Sequence, residues 1–160
     1  MRLPLGEFQC GECQTKFKAP LISDFAYGEY LLWSDTGGVA YLNAGDDPTF
    51  AEVRQLFRGC TRNETPNHAA AGARLHDFFA RVACDPDEEG GLFRIGGKPR
   101  CPNCQSNHMA SWSLGEAAEM AEVETVELTH RIWNMLPDAE KLASVHAWIE
   151  RHAGGPTPFM

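Results

Sequence analysis

Apolar positions along the chain follow two different periods. Residues 27–43, "YGEYLLWSDTGGVAYLN", hold two runs rich in aromatic and β-branched side chains around Ser34-Asp35-Thr36-Gly37-Gly38. Strand-formers on both sides of a glycine turn predict a β-hairpin, which is expected to extend the sheet of the cysteine-bearing segments described below. Tyr30, Trp33, Val39 and Tyr41 read as sheet packing rather than as a platform for stacking bases, because no Lys or Arg accompanies them. In "DDPTFAEVRQLFRGC" the period lengthens, with Phe50, Val53, Leu56 and Phe57 recurring at helical spacing. Either Asp47 ahead of Pro48 or a Thr49–Glu52 capping box starts this helix, and Gly59 ends it. A second helix is expected from Pro66 to about Cys84, with Thr65 as its cap and Leu75, Phe78, Phe79 and Val82 facing the core.

Two glycine pairs punctuate "GGLFRIGGKP", residues 90–99, and mark a short strand; "SNHMASWS" predicts another. Residues 114–128 admit two readings. Ser113 with Glu116 caps a helix there, or the run is a polar edge strand. From Thr129 the pattern predicts two short helices broken before Pro137. The second turns Leu142, Val145, Trp148 and Ile149 to one face and ends at Gly154.

Composition narrows the class. The chain has 160 residues, 43% hydrophobic and 22% charged, the usage of a folded domain able to bury roughly 70% of the surface its unfolded form exposes. The formal net charge is -8, and most of the acidic excess lies beyond residue 100. Nucleic-acid binding relies on Lys and Arg neutralising phosphates, so this balance favours a protein partner over DNA or RNA. The one local basic cluster is Arg54, Arg58 and Arg62. Its simplest account is a solvated helix face neutralised by Glu52 and Glu64; as a functional surface it would hold an acidic partner or a phosphate. The acidic run at 85–89 lacks the ligand order of a calcium loop and reads as an exposed turn. The N-terminal segment has no long apolar region of the signal-peptide kind, and no apolar run approaches the ~20 residues that span a bilayer, so a cytoplasmic location without membrane contact is expected.

Six cysteines carry the candidate chemistry: Cys10, Cys13, Cys60, Cys84, Cys101 and Cys104. Cys10–Cys13 and Cys101–Cys104 form two CxxC pairs. Two residues between cysteines let the chain turn so that both sulfurs face one ion, and two such turns supply a tetrahedron. Four thiolates suit zinc, which accepts four soft ligands, and they leave no open position for catalysis. His108, four residues past Cys104, is an alternative ligand. Cys60, His68, His76 and Cys84 lie eight apart, but eight helical residues rise about 12 Å and rotate roughly 80°, so they do not share an ion. Cys60 and Cys84 read as small core thiols. His146 and His152 read as surface residues.

On these two pairs, in "FQCGECQTKF" and "RCPNCQSNHM", the chain resembles the zinc-ribbon superfamily over Glu7 to Ala19 and Lys98 to Trp112. The resemblance implies two β-hairpin knuckles clamping one structural Zn²⁺ through Cys10, Cys13, Cys101 and Cys104. Many knuckles of this kind place glycine directly after the second cysteine, whereas this chain has Gln14 and Gln105. The expected architecture is α+β in a single domain over 1–160. A split ribbon is formed by 7–19 and 98–112, with an inserted lobe of a β-hairpin and two helices over 20–97. A C-terminal helical segment covers 113–153 and a short tail 154–160. The expected function is a non-enzymatic, zinc-scaffolded surface for a macromolecular partner, most simply a protein, as an inhibitor or regulator of a basic one. The alternatives are nucleic-acid binding through the ribbon, and thiol-redox chemistry by the CxxC pairs or by Cys60 and Cys84.

Overall fold

In the computed structural model, described over residues 1–22, 27–62 and 68–153 with the side chains of 68 and 69 excluded, two antiparallel sheets and four α-helices make an α+β fold. The first sheet is built on β1 (Arg2–Cys10), which pairs with β2 (Lys16–Pro20), β6 (Met109–Ser113) and β7 (Met120–Glu122). The second has β3 (Glu29–Ser34) at its centre, between β4 (Val39–Asn43) and β5 (Phe93–Ile95). The helices are α1 (Pro48–Cys60), α2 (His68–Phe78), α3 (Arg131–Met135) and α4 (Asp138–Arg151).

The expected hairpin is present as β3–β4, but it does not extend the sheet of the cysteine-bearing segments. It takes β5 as its third strand and stands as a sheet of its own. The reason lies in its two faces, since alternate residues of a strand point opposite ways. Tyr30, Leu32, Ala40, Leu42, Phe93 and Ile95 pack with the helices, in a core that includes Phe50, Val53, Phe57, Phe78, Phe79, Trp133 and Val145. Leu31, Val39, Trp33 and Tyr41 face the other way, onto Leu3 of β1 and Val123. Both faces are apolar, so the sheet is a middle layer. Tyr30 is thereby separated from Trp33, Val39 and Tyr41, and the four share no single aromatic surface.

Strand β1 serves two packing groups by the same alternation. Phe8 and Cys10 face a small cluster with Ala19, Cys101 and Met109. Leu3, at odd separation from Phe8, faces the opposite side and joins Leu31 and Val39. Trp33 touches both groups. The run 114–128 forms no helix and only a short strand: β7, Met120–Glu122, pairs with Arg2–Pro4, Val126 forms an isolated parallel bridge to Ala40, and the rest is irregular or turn.

Helix α1 starts at Asp47, whose carboxylate accepts the Phe50 N–H at 2.7 Å, so Asp47 is the cap and Thr49 is buried instead. The helix passes Gly59 and ends with Thr61 as C-cap. The expected cap Thr65 and start Pro66 of the second helix, together with Glu64 and Gly154, lie outside the described residues. This second helix is not α-helical to its end. It changes after Phe78 to a π turn over Phe79–Ala83, with Cys84 as C-cap. Phe78, Phe79 and Ala80 are all at most 1% exposed. A regular helix would fan three successive side chains out by about 100° each; the wider turn keeps them in the core.

The C-terminal helical pair differs from expectation at one position. Val145 and Ile149 are buried, but Leu142 is 42% exposed and Lys141 is buried. The Lys141 stem lies inside while its Nζ meets Glu52 Oε1 at 2.9 Å. Burial pushes the Glu52 carboxyl up, and the hydrogen bonds from Lys141 and Trp133 outweigh it, so the net direction is down.

Candidate metal centre

The two CxxC segments adopt the same loop. In the first, the Cys10 N–H donates to Thr15 O at 2.9 Å and the Gln14 N–H to Cys10 O at 3.2 Å. In the second, the Cys101 N–H donates to Ser106 O at 2.8 Å and the Gln105 N–H to Cys101 O at 2.9 Å. Gln14 and Gln105 carry φ of 63° and 64°, the only non-glycine residues with positive φ among those described. The left-handed turn common to knuckles is therefore retained without the glycine, at a cost on the order of 1 kcal/mol per residue. The Gln14 amide bonds back to Gly11 O at 3.2 Å and accepts from Gln9 Nε2 at 3.0 Å, which offsets part of that cost.

Sheet pairing brings the loops together. β1 leads into the first loop, and β6 leaves the second to pair antiparallel with β1, with Cys10 opposite Met109 after a register shift. The Gly11 N–H donates to His108 O at 2.8 Å. As a result the sulfurs of Cys10, Cys13, Cys101 and Cys104 all lie within 4.8 Å of one another. Cys10 Sγ is 3.5 Å from Cys104 Sγ, and Cys13 Sγ is 3.6 Å from Cys101 Sγ. A tetrahedral zinc with Zn–S near 2.3 Å needs sulfurs about 3.8 Å apart; the two cross-knuckle contacts lie about 0.2–0.3 Å under that spacing and no pair exceeds 4.8 Å. All six cysteines are free thiols.

The surroundings of the sulfurs differ. Cys10 and Cys101 are fully buried, Cys13 is half-buried and Cys104 is exposed. The Glu12 N–H points at Cys10 Sγ, 3.4 Å away, and Thr15 Oγ1 lies 3.2 Å from Cys13 Sγ. Hydrogen bonds from the Thr15 hydroxyl, the Asn103 side chain and the Thr15 backbone pull the Cys13 thiol down to about 5. The Ser106 backbone pulls Cys104 down, but burial and the neighbouring thiols Cys10, Cys13 and Cys101 outweigh it and push that thiol up to about 12. One anion suppresses the next in such a cluster, and a dication among the sulfurs removes that conflict. The supporting hydroxyl residues have a sequence signal: "CGECQT" and "CPNCQS" repeat not only the cysteines but also a glutamine followed by Thr or Ser.

His108 is not among the four clustered ligands. Its ring is exposed, with Nδ1 3.0 Å from Glu12 Oε1. Arg54 and Arg58 are exposed on α1 and Arg62 is exposed just beyond it, away from the cysteines in sequence and element. Glu52 does not neutralise them. Its carboxylate accepts from Trp133 Nε1 at 2.8 Å and from Lys141, on the inner side of α1.

The eight-residue series also separates. Cys60 Sγ faces His146 Nε2 of α4 at 3.5 Å, so His146 has a partner that spacing did not indicate. His76 packs between the rings of Tyr30 and Phe50, and its side chain is held below its ordinary value by burial. Cys84 is buried, and burial followed by the charges of Asp47 and Asp85 pushes its thiol far up. His152 stacks on Trp148 and its Nδ1 contacts Trp148 O at 2.8 Å. The acidic turn is not simply exposed, because Asp85 is buried and accepts from Thr129 Oγ1 at 2.6 Å, Arg131 N at 2.8 Å and Ile132 N at 2.9 Å. It caps α3 from 46 residues away.

The chain thus carries a four-cysteine cluster able to hold a metal, in keeping with a zinc-ribbon-like site. No protein-family model matches the chain, and no match is found among curated proteins or among solved structures. Among the described residues, no helix is long and apolar enough to cross a membrane.

Proposed function

We propose that Cys10, Cys13, Cys101 and Cys104 hold one zinc ion per chain in a closed structural site, and that the chain is a non-enzymatic scaffold for a protein partner. The observation that carries the metal reading is the convergence of four thiols within 4.8 Å from two loops of matching geometry. Four cysteines close a tetrahedron, whereas a catalytic zinc keeps one position open. The metal supplies the cross-link between the two halves of the sheet; the knuckle backbone orients the thiolates toward it.

The partner reading rests on charge. A formal charge of -8 becomes more negative by two when four thiolates meet one Zn²⁺. That surface suits a basic protein, which the chain would inhibit or regulate; the ridge of Arg54, Arg58 and Arg62 would meet an acidic patch on that partner. Thiol-redox chemistry by Cys60 or Cys84 is disfavoured, since burial pushes both thiols up.

Elemental analysis of the purified full-length chain tests the metal. About one zinc per chain, with a melting transition lowered by a strong chelator, supports the closed site. Iron, or no metal together with two titratable CxxC disulfides, overturns it.

A further inference from the structure

The four sulfurs are not equivalent to a reagent in solution. Cys10 and Cys101 are sealed in the small core with Phe8, Ala19 and Met109, while Cys104 is exposed. The sulfur contacts at 3.5 and 3.6 Å both cross between the knuckles, joining Cys10 with Cys104 and Cys13 with Cys101. Within each knuckle the backbone is held by the Gln14 and Gln105 turn bonds, and the Glu12 N–H holds Cys10 Sγ. A bond across the knuckles needs only the 3.5 Å gap to close to a disulfide length of about 2.05 Å. A bond inside a knuckle must work against those turn contacts.

We infer that Cys104 is an oxidation site, and that a hydroperoxide converts the centre to a Cys10–Cys104 disulfide that expels the metal while keeping the two halves of the sheet joined. This rests on the zinc reading, which supplies the ion released and holds the four sulfurs as thiolates. The Cys104 thiolate attacks one oxygen of hydrogen peroxide, the O–O bond breaks, and hydroxide leaves to give a sulfenic acid. The Cys10 thiolate then attacks that sulfur, forming the S–S bond and expelling a second hydroxide. The sulfur pair loses two electrons and the peroxide gains two, so two thiolates and one hydrogen peroxide give one disulfide and two hydroxide ions, which the acid form of the buffer neutralises. The Cys13 and Cys101 thiolates left behind are too few to close a tetrahedral site.

The geometry separates oxidation from chelation. A chelator removes the ion and leaves nothing covalent between residues 10 and 104, so the β1–β6 pairing is released. Oxidation removes the ion and replaces it with a covalent clasp, so that pairing persists.

The experiment is peroxide treatment of the full-length chain as purified, with its metal content measured beforehand. Released metal is followed with a chromogenic chelator, and disulfides are mapped by non-reducing peptide mass spectrometry. A linked peptide pair containing Cys10 and Cys104 is expected, with amide-exchange protection of β1 and β6 retained relative to the chelated, reduced chain. On the same peptide map, a brief pulse of a thiol-alkylating reagent is expected to label Cys104 at least about tenfold faster than Cys10 and Cys101, which are buried. A disulfide confined to Cys101–Cys104 or Cys10–Cys13, or oxidation that stops at sulfinic acid without a cross-link, overturns the inference. Metal content is read before peroxide is added, so a chain purified without zinc fails the zinc reading and the clasp built on it, whereas a zinc-loaded chain that forms no Cys10–Cys104 bond fails the clasp alone.

Discussion

The knuckle end and the helical end of this molecule are held by different means. Among the described residues, the helical end encloses sixteen buried ones, including Phe50, Phe57, Phe78, Phe79, Phe93 and Trp133. Ring contacts link Phe50 to Phe79, Phe57 to Phe78, and Phe78 to both Trp133 and Trp148. The knuckle end encloses five, and two of those are the cysteines Cys10 and Cys101. A cluster that small removes too little apolar surface from water to fix two loops 88 to 94 residues apart. The difference teaches where a metal would add most: the end with the poor core is the end whose four thiols could hold one.

The largest effect should come from breaking the poor end at its metal ligands. Under the proposed zinc reading, Cys101→Ser is expected to cost more than about 5 kcal/mol of local stability, since it would remove a metal clasp rather than a side-chain contact. Amide exchange should then show β1, β2 and β6 losing protection while α1, α2 and α4 keep theirs; uniform loss across both ends would dissolve the comparison.

The rich end is broken by a cavity. Phe79→Ala should destabilise the helical core by about 4 kcal/mol, read as a lowered melting transition with the metal content of the purified chain unchanged. Loss of metal in this variant would mean that the two ends unfold as one.

A smaller effect is expected at Asp85, the remote cap of α3. Burial pushes its carboxyl up, but hydrogen bonds from Thr129, Ile132 and Arg131 outweigh this and hold it below its ordinary value of 3.8. A carboxyl depressed in the folded state stabilises fully above its unfolded value and loses that contribution as pH falls through the folded one. Wild type should therefore lose stability below about pH 3.8, and Asp85→Asn should cost about 2 kcal/mol at neutral pH and flatten that acid slope. An unchanged slope in acid melts would assign it to other carboxyls.

The smallest effect lies in the knuckle turns. Gln14→Gly relieves a left-handed backbone worth about 1–2 kcal/mol but loosens the unfolded chain by about 0.5–1 kcal/mol. A net gain of about 0.5 kcal/mol is expected by chemical denaturation. A loss instead would show that the Gln14 amide bonds outweigh the backbone cost.

Much of this molecule was legible locally. The two CxxC pairs, the hairpin at 27–43, the helix with Phe50, Val53 and Phe57 inward and the break before Pro137 each follow from spacing within a dozen residues, because turn geometry and side-chain period are short-range properties. What the chain does over longer distances was not legible. The hairpin's separation from the sheet built on β1 depends on β5 arriving from residues 93–95. The π turn depends on three adjacent side chains finding one core, and the strand at 120–122 on β1 offering an unpaired edge. Lys141 is inside rather than Leu142 because Glu52, 89 positions earlier, supplies the opposite charge. The sequence by itself determined which residues turn, coil or alternate, and it placed four thiols in two tight loops. Only the tertiary structure decided that those loops meet, because bringing residues 10 and 104 together must overcome the loop-closure entropy of the chain between them, and the β1–β6 pairing and the four converging thiols both lie at that closure.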